Sequence, residues 1–129
     1  MARLLLVEDE PTQLDLYRHL LAEDGHEIMG ARCGEEAIKV AKKFCPKVVV
    51  LDLALPDMDG PEAISRLLCE CGHPKIVINT GYERYRFDFR CWGADAFVVK
   101  SSDPSELRAK VRQVLKPPEI TETQRESRN

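Results

Sequence analysis

Several polar residues of this chain stand directly behind short apolar runs. Glu8 and Asp9 follow Leu4–Val7, Asp52 follows Val48–Leu51, Thr80 comes just past Ile76–Ile78, and Lys100 follows Phe97–Val99. If those runs are parallel strands, their carboxyl ends share one edge of a sheet, where open α/β sheets bind ligands. The edge then gathers three carboxylates, a hydroxyl and an amine. Carboxylates held together repel one another and lose hydration, so they call for a cation. All-oxygen ligation with few protein contacts suits Mg²⁺. A carboxylate can attack phosphorus and form an acyl phosphate. A metal and a lysine beside it would offset the charge on the phosphoryl oxygens, with a hydroxyl donating to another. Taken singly, each residue has a plainer reading. Lys100 could be a strand-end residue reaching for solvent, Thr80 a turn residue, and Asp52 a cap. Their shared position behind successive strands is what those readings leave unexplained.

The elements that must position these groups are legible in the hydrophobic pattern. Short apolar runs, with a weaker one at Glu27–Gly30, are too brief for helices and rich enough in β-branched residues for buried strands. Amphipathic stretches at Pro11–Glu23, Glu35–Phe44, Pro61–Cys71, Arg84–Trp92 and Pro104–Leu115 alternate with them. Pro11, Pro61 and Pro104 stand at first-turn positions. Asp103-Pro104-Ser105-Glu106 reads as an N-cap with a capping-box glutamate. Gly25, Gly72 and Gly93 fall where helices want a left-handed cap. Strands and helices in alternation specify an α/β fold, a doubly wound five-stranded parallel sheet covered on both faces. Residues 1–116 form the expected domain. Lys116-Pro117-Pro118 stops the last helix, and the polar stretch Glu119–Asn129 reads as a disordered tail or linker.

Bulk properties narrow the function further. At 129 residues, 43% hydrophobic and 32% charged, the chain can bury one core without covalent staples. A net charge of −3 argues against direct nucleic-acid binding or membrane association, which favour basic surfaces. The leading apolar run is too short for a signal peptide or a span, so the expected compartment is the cytoplasm. Cys33, Cys45, Cys69, Cys71 and Cys91 are odd in number and scattered, as reduced thiols would be. Cys69-x-Cys71-x-His73 invites a metal reading, but i and i+2 point to different helix faces and a second ligand pair is missing.

The segments Leu5-Leu6-Val7-Glu8-Asp9-Glu10, Val50-Leu51-Asp52-Leu53-Ala54-Leu55-Pro56-Asp57-Met58-Asp59-Gly60, Asn79-Thr80-Gly81 and Gly93–Lys100 resemble the receiver domain of two-component response regulators, in order and over most of the chain. The resemblance implies a flavodoxin-like (βα)5 receiver fold. It implies that Asp52 accepts a phosphoryl group from a sensor histidine kinase or phosphotransfer protein, assisted by Thr80 and Lys100. Mg²⁺ would be held by Glu8, Asp9, Asp52 and the Ala54 carbonyl, with Asp9 and Asp52 as direct carboxylate ligands and Glu8 acting through water. Thr80 and Phe97 match the family's switch pair, in which the hydroxyl moves to the phosphoryl group and the ring turns inward behind it. The switch would bias a partner-binding face built from the fourth predicted helix (Arg84–Trp92), the fifth strand (Phe97–Val99) and the fifth helix (Pro104–Leu115).

Three departures from the family pattern bear on these expectations. Ser101 stands where a proline in a cis peptide normally follows the lysine, and a cis bond there would cost about 2.5–4 kcal/mol. A trans Lys100–Ser101 bond is therefore expected, leaving the lysine's aim to be set by something else. The Thr80–Lys100 stretch is slightly short and carries Tyr85, Phe87, Phe89 and Trp92, read either as core or as a partner surface. Finally, Ala54 leaves access to the acceptor open, whereas Tyr82 could cover it.

Two other classes compete with a phosphorylation switch. An unphosphorylated, constitutive interaction module is opposed by the intact acid set. An enzyme on the same fold would need a phosphate-cradling loop where Glu8-Asp9-Glu10-Pro11 stands, or a general acid near Asp52. Asp57 is the candidate acid and is expected to face solvent. The chain is thus read as a signalling domain and not as an enzyme. No effector pattern follows residue 116, which fits a stand-alone receiver or part of a longer protein.

Overall fold

A computed structural model describes residues 2–82, 90, 92–101 and 103–116. Its strands are β1 (Arg3–Val7), β2 (Glu27–Ala31), β3 (Val48–Leu51), β4 (Lys75–Thr80) and β5 (Ala96–Val99). The described helices are α1 (Pro11–Ala22), α2 (Gly34–Phe44), α3 (Gly60–Glu70) and α4 (Ser105–Leu115). All strands are parallel in the order β2-β1-β3-β4-β5. The expected doubly wound α/β sheet is therefore present. The helix expected over Arg84–Trp92 lies outside the described residues, apart from Arg90 and Trp92, which are in turns.

Strand alternation divides the core between the two faces. Leu5, Val7, Val49, Leu51, Ile76, Ile78 and Phe97 pack against the apolar stripes of α2 and α3, through Ile38, Ala41, Ile64 and Leu67. Leu4, Leu6, Val48, Val50, Val77 and Val98 pack against α1 and α4, through Tyr17, Leu21, Leu107 and Val111. β1, β3 and β4 are covered on both sides, so they read as continuous apolar runs. β2 is an edge strand with alternating exposure, which is why its sequence signal is weaker.

Local chemistry sets the element ends. Gly25, Gly72 and Gly93 adopt φ of +85°, +84° and +91°, as expected for left-handed caps. Gly60 opens α3 at a point where a Cβ would run into the Leu53 side chain. At α4 the cap differs from expectation. The Asp103 carboxylate accepts the Ser105 amide at 3.0 Å, but the Asp103 amide goes to Ser101 Oγ at 3.3 Å rather than to Glu106. The N-cap residue is Pro104 rather than Asp103, it makes no side-chain capping bond, and Ser101 and Asp103 form a turn ahead of the helix.

Candidate functional site

The register of the parallel strands assembles the site. Val7 pairs with Leu51, which places Glu8 and Asp52 side by side at neighbouring strand ends. The Asp52 amide donates to the Val7 carbonyl at 3.1 Å, and the Lys100 amide to the Thr80 carbonyl at 2.7 Å, extending the ladder past the last paired residues. Glu8, Asp9 and Asp52 offer carboxylate oxygens that all lie within 4.8 Å of one another. Among the described residues this is the group of acidic, histidine or cysteine side chains spaced to hold a metal ion. Its all-oxygen donor set fits a hard divalent cation.

Lys100 closes the cluster. Its Nζ donates to Glu8 Oε2 at 2.6 Å, Asp52 Oδ2 at 2.7 Å and Gln13 Oε1 at 2.6 Å. Asp52 Oδ1 accepts the Ala54 amide at 3.1 Å, so both oxygens of this carboxylate are held. Glu8 is 2% exposed and Asp52 6%. Burial, reinforced by the Asp52 charge, raises the pKa of Glu8 although the bond to Lys100 works the other way. Burial opposes the charge on Lys100, but hydrogen bonds to Asp52 and Glu8 and their charges outweigh it and raise its pKa.

Glu8, Asp9, Asp52, Ala54, Tyr82 and Lys100 all line one cavity of about 280 Å³, with Glu10 and Gln13 in its wall. Ala54 is exposed and Tyr82 is about half exposed beside it, so the small residue and the aromatic flank the same opening. Thr80 is fully buried and its hydroxyl accepts the Tyr82 amide at 3.3 Å, which sets it back from the cavity lining. Phe97 is 3% exposed and lies inward, in the apolar layer shared with Ile76 and Ile78. Of the residues expected at the site, the structure brings Glu8, Asp9, Asp52, Ala54 and Lys100 to one cavity, with Thr80 and Phe97 in the strands behind it.

The Lys100–Ser101 peptide is trans, as expected, since no described peptide bond is cis. Asp57 faces solvent, as expected. Although exposed, its carboxylate accepts the Gly34 and Glu35 amides at 2.8 and 2.9 Å and so caps α2 from another segment. Those backbone hydrogen bonds hold its pKa below the usual carboxylate range. It therefore serves as a clamp between the loop after Asp52 and α2. Cys69 is exposed and the buried Cys71 thiol faces the Ile38 carbonyl at 3.7 Å, so Cys69, Cys71 and His73 form no metal cluster. Cys33, Cys45, Cys69 and Cys71 are all unpaired. Tyr85, Phe87 and Phe89 lie outside the described residues, while Trp92 packs against the α2–α3 core.

Gln13 was not singled out by its sequence position. It stands three residues after Glu10, the N-cap of α1, whose carboxylate accepts the Thr12 and Gln13 amides at 3.2 and 2.9 Å. These amides hold Glu10's pKa below its usual value, the Gln13 amide most strongly. A glutamine at that offset is the capping-box pattern, and this was the available signal. Its side chain turns instead to Lys100.

Known proteins place these features in context. The model of the response regulator receiver domain family matches residues 4–112. A putative transcriptional regulator of Pseudomonas aeruginosa is 36% identical over 118 residues, covering 89% of this chain and 57% of its own. The chain spans about half the length of the curated relatives it matches. Among solved structures, response regulator TrrA of Thermotoga maritima in complex with Mg²⁺-BeF superposes with a TM-score of 0.82 at 38% identity, covering 89% of this chain and all of TrrA. The structure of TrrA in complex with histidine kinase ThkA matches with a TM-score of 0.81, at 38% identity, over 90% of this chain and 100% of the matched chain. No described helix is long and apolar enough to cross a membrane.

Proposed function

This chain belongs to the response regulator receiver domain family, and on that premise we propose that it is a switch phosphorylated on Asp52 by a sensor histidine kinase or phosphotransfer protein. The observation that carries the proposal is the triple contact of Lys100 beside an otherwise acidic cavity. The Asp52 carboxylate attacks phosphorus, an O–P bond forms, and the bond from phosphorus to the donor nitrogen breaks. Glu8, Asp9, Asp52 and the Ala54 carbonyl are the residues that would hold Mg²⁺, Glu8 through water. When bound, the ion supplies charge neutralisation to the phosphoryl oxygens. Lys100 gives a second positive charge, and Thr80 a hydroxyl once it leaves the Tyr82 amide. TrrA, 38% identical, was crystallised with Mg²⁺-BeF and with a histidine kinase, which supports both the ion and the partner.

On this reading Thr80 and Phe97 transmit the change to a face that includes β5 and α4, where a downstream protein docks. The domain comprises residues 1–116 and works in the cytoplasm through protein contacts, with 117–129 as a polar tail or linker. The test is intact mass after incubation with Mg²⁺ and acetyl phosphate, beside Asp52→Asn. One Mg²⁺-dependent phosphoryl gain, absent in the variant, is expected. No gain together with no beryllofluoride binding would favour a constitutive interaction module instead.

A further inference from the structure

Lys100 has a flexible four-carbon stem and an ammonium with three donors, so nothing in the residue itself fixes where its charge sits. The residue after it is Ser101 in a trans peptide, whose φ is not locked by a ring. Its position is set by what accepts its three bonds. Two of those acceptors, Glu8 and Asp52, belong to the acid cluster that would hold a divalent cation. The third, Gln13 Oε1 at 2.6 Å, is neutral and stands outside that cluster.

We propose that Gln13 is a positioning residue for Lys100, anchoring the ammonium over Asp52 whether or not its carboxylate partners are taken by a metal or a phosphoryl group. The inference rests on the phosphorylation reading for its kinetic consequence, but the anchoring itself concerns the protein alone. Gln13 suits the task because its own backbone is pinned. Its amide donates to Glu10 Oε2 at 2.9 Å, and the Glu10 amide donates to Glu8 Oε1 at 3.3 Å. A short chain of hydrogen bonds thus ties the lysine's neutral anchor to the same loop that presents Glu8 and Asp9. When cation and phosphoryl oxygens compete for Glu8 and Asp52, Gln13 still accepts from Lys100 and keeps its charge within reach of the incoming group. Without that anchor the stem can rotate away, and misplacement by about 1 Å can cost up to a hundredfold in rate.

The experiment compares wild type with Gln13→Leu, which keeps bulk but removes the acceptor, and Gln13→Glu, which keeps an acceptor. The first readout is the ¹⁵Nζ signal of Lys100 in ¹⁵N-labelled, metal-free protein, where three acceptors slow exchange of the ammonium protons. The signal is expected in wild type and Gln13→Glu and lost in Gln13→Leu. An unchanged signal in a folded Gln13→Leu protein would overturn the proposal, whatever the phosphorylation result. The second readout is the initial rate of phosphoryl uptake from acetyl phosphate, with and without Lys100→Met. Gln13→Leu should slow uptake roughly tenfold when Lys100 is present, the scale of losing one hydrogen bond to a charged group, and should add nothing when Lys100 is absent. An equal slowing in both backgrounds would make Gln13 merely structural. If wild type takes up no phosphoryl group at all, the phosphorylation reading fails while the first readout still decides the anchoring.

Discussion

Replacing Lys100 by methionine tests the electrostatics of the site most directly. The substitution keeps a long apolar stem and removes the only ammonium that contacts Glu8 and Asp52 among the described residues. Both carboxylates are nearly fully buried, and Lys100 meets them at 2.6 and 2.7 Å. Removing one member of a buried ion pair typically destabilises by about 3–5 kcal/mol, because the remaining charge is left uncompensated. The loss should depend on pH in a definite sense. Glu8 already lies above its ordinary value of 4.5 through burial, then the Asp52 charge, with the Lys100 bond acting against both. Without Lys100 it rises further. A carboxyl group that binds its proton more tightly in the folded state stabilises that state below its unfolded pKa. That contribution is lost as pH rises through the folded value. The deficit of the variant should therefore be small below about pH 4.5 and full at neutral pH. Mg²⁺ should partly replace the ammonium, restoring about 2.7 kcal/mol at a hundredfold excess over its dissociation constant. It should stabilise the variant more than wild type, where it competes with Lys100 for the same oxygens. Urea unfolding at both pH values, with and without Mg²⁺, measures all of this. A deficit that does not change with pH, or a smaller Mg²⁺ effect in the variant than in wild type, would refute the reasoning.

Other perturbations follow from the same contacts. Asp57→Ala removes the acceptor of the Gly34 and Glu35 amides, so these amides should exchange hydrogen faster while those in the middle of α3 do not; unchanged exchange would mean the clamp is idle. Asp24 is held below its ordinary 3.8 chiefly by the hydrogen bonds from Arg108. Its stabilising effect is present above that value and lost as pH falls through the folded pKa, so Asp24→Asn should lower the urea midpoint at neutral pH and leave it level with wild type in strong acid. Leu67→Ala empties a fully buried position beneath α3 and should cost about 2–5 kcal/mol in urea unfolding, while the folded fraction still takes up phosphoryl groups at the wild-type rate.

Much of the fold and the acid set was legible because both depend on order along the chain. A parallel sheet turns each strand end into a point on one edge, so Glu8, Asp52 and Lys100 could be brought together from their place behind apolar runs alone. β2 was fainter because an edge strand buries only part of its length, and no sequence pattern marks that before the strand order is known. Gln13 and Lys100 are 87 residues apart, and a glutamine in a helix's first turn carries no mark of the partner it will meet. Asp57 faces solvent as expected, but its capping bonds to α2 were hidden for a similar reason. Its carboxylate faces outward in its own loop, but α2 begins alongside it, and Gly34 lets Met58 approach so closely that a Cβ there would lie 2.5 Å from the Met58 sulfur.

The charge balance of the cavity says what the neutral partner is for. With Glu8, Asp9 and Asp52 all ionised, Lys100 cancels one of three charges, and the remainder matches a divalent cation. On the proposed reading, phosphorylating Asp52 would add negative charge at a carboxylate whose oxygens are both already held, by Ala54 and by Lys100. On that reading the lysine would be drawn from Glu8 toward the phosphoryl oxygens, and Thr80 would exchange its bond from the Tyr82 amide for one to the same group. A bond from Lys100 to a neutral carbonyl does not weaken as carboxylates are neutralised by metal, whereas its bonds to Glu8 and Asp52 do. Gln13 therefore holds the lysine in both states, and its loss costs most in the loaded one, where the carboxylates hold the lysine less well. That ordering predicts that Gln13→Leu should change stability little without Mg²⁺ and weaken beryllofluoride binding clearly with it. The reverse order would mean that the lysine is aimed by the acids alone.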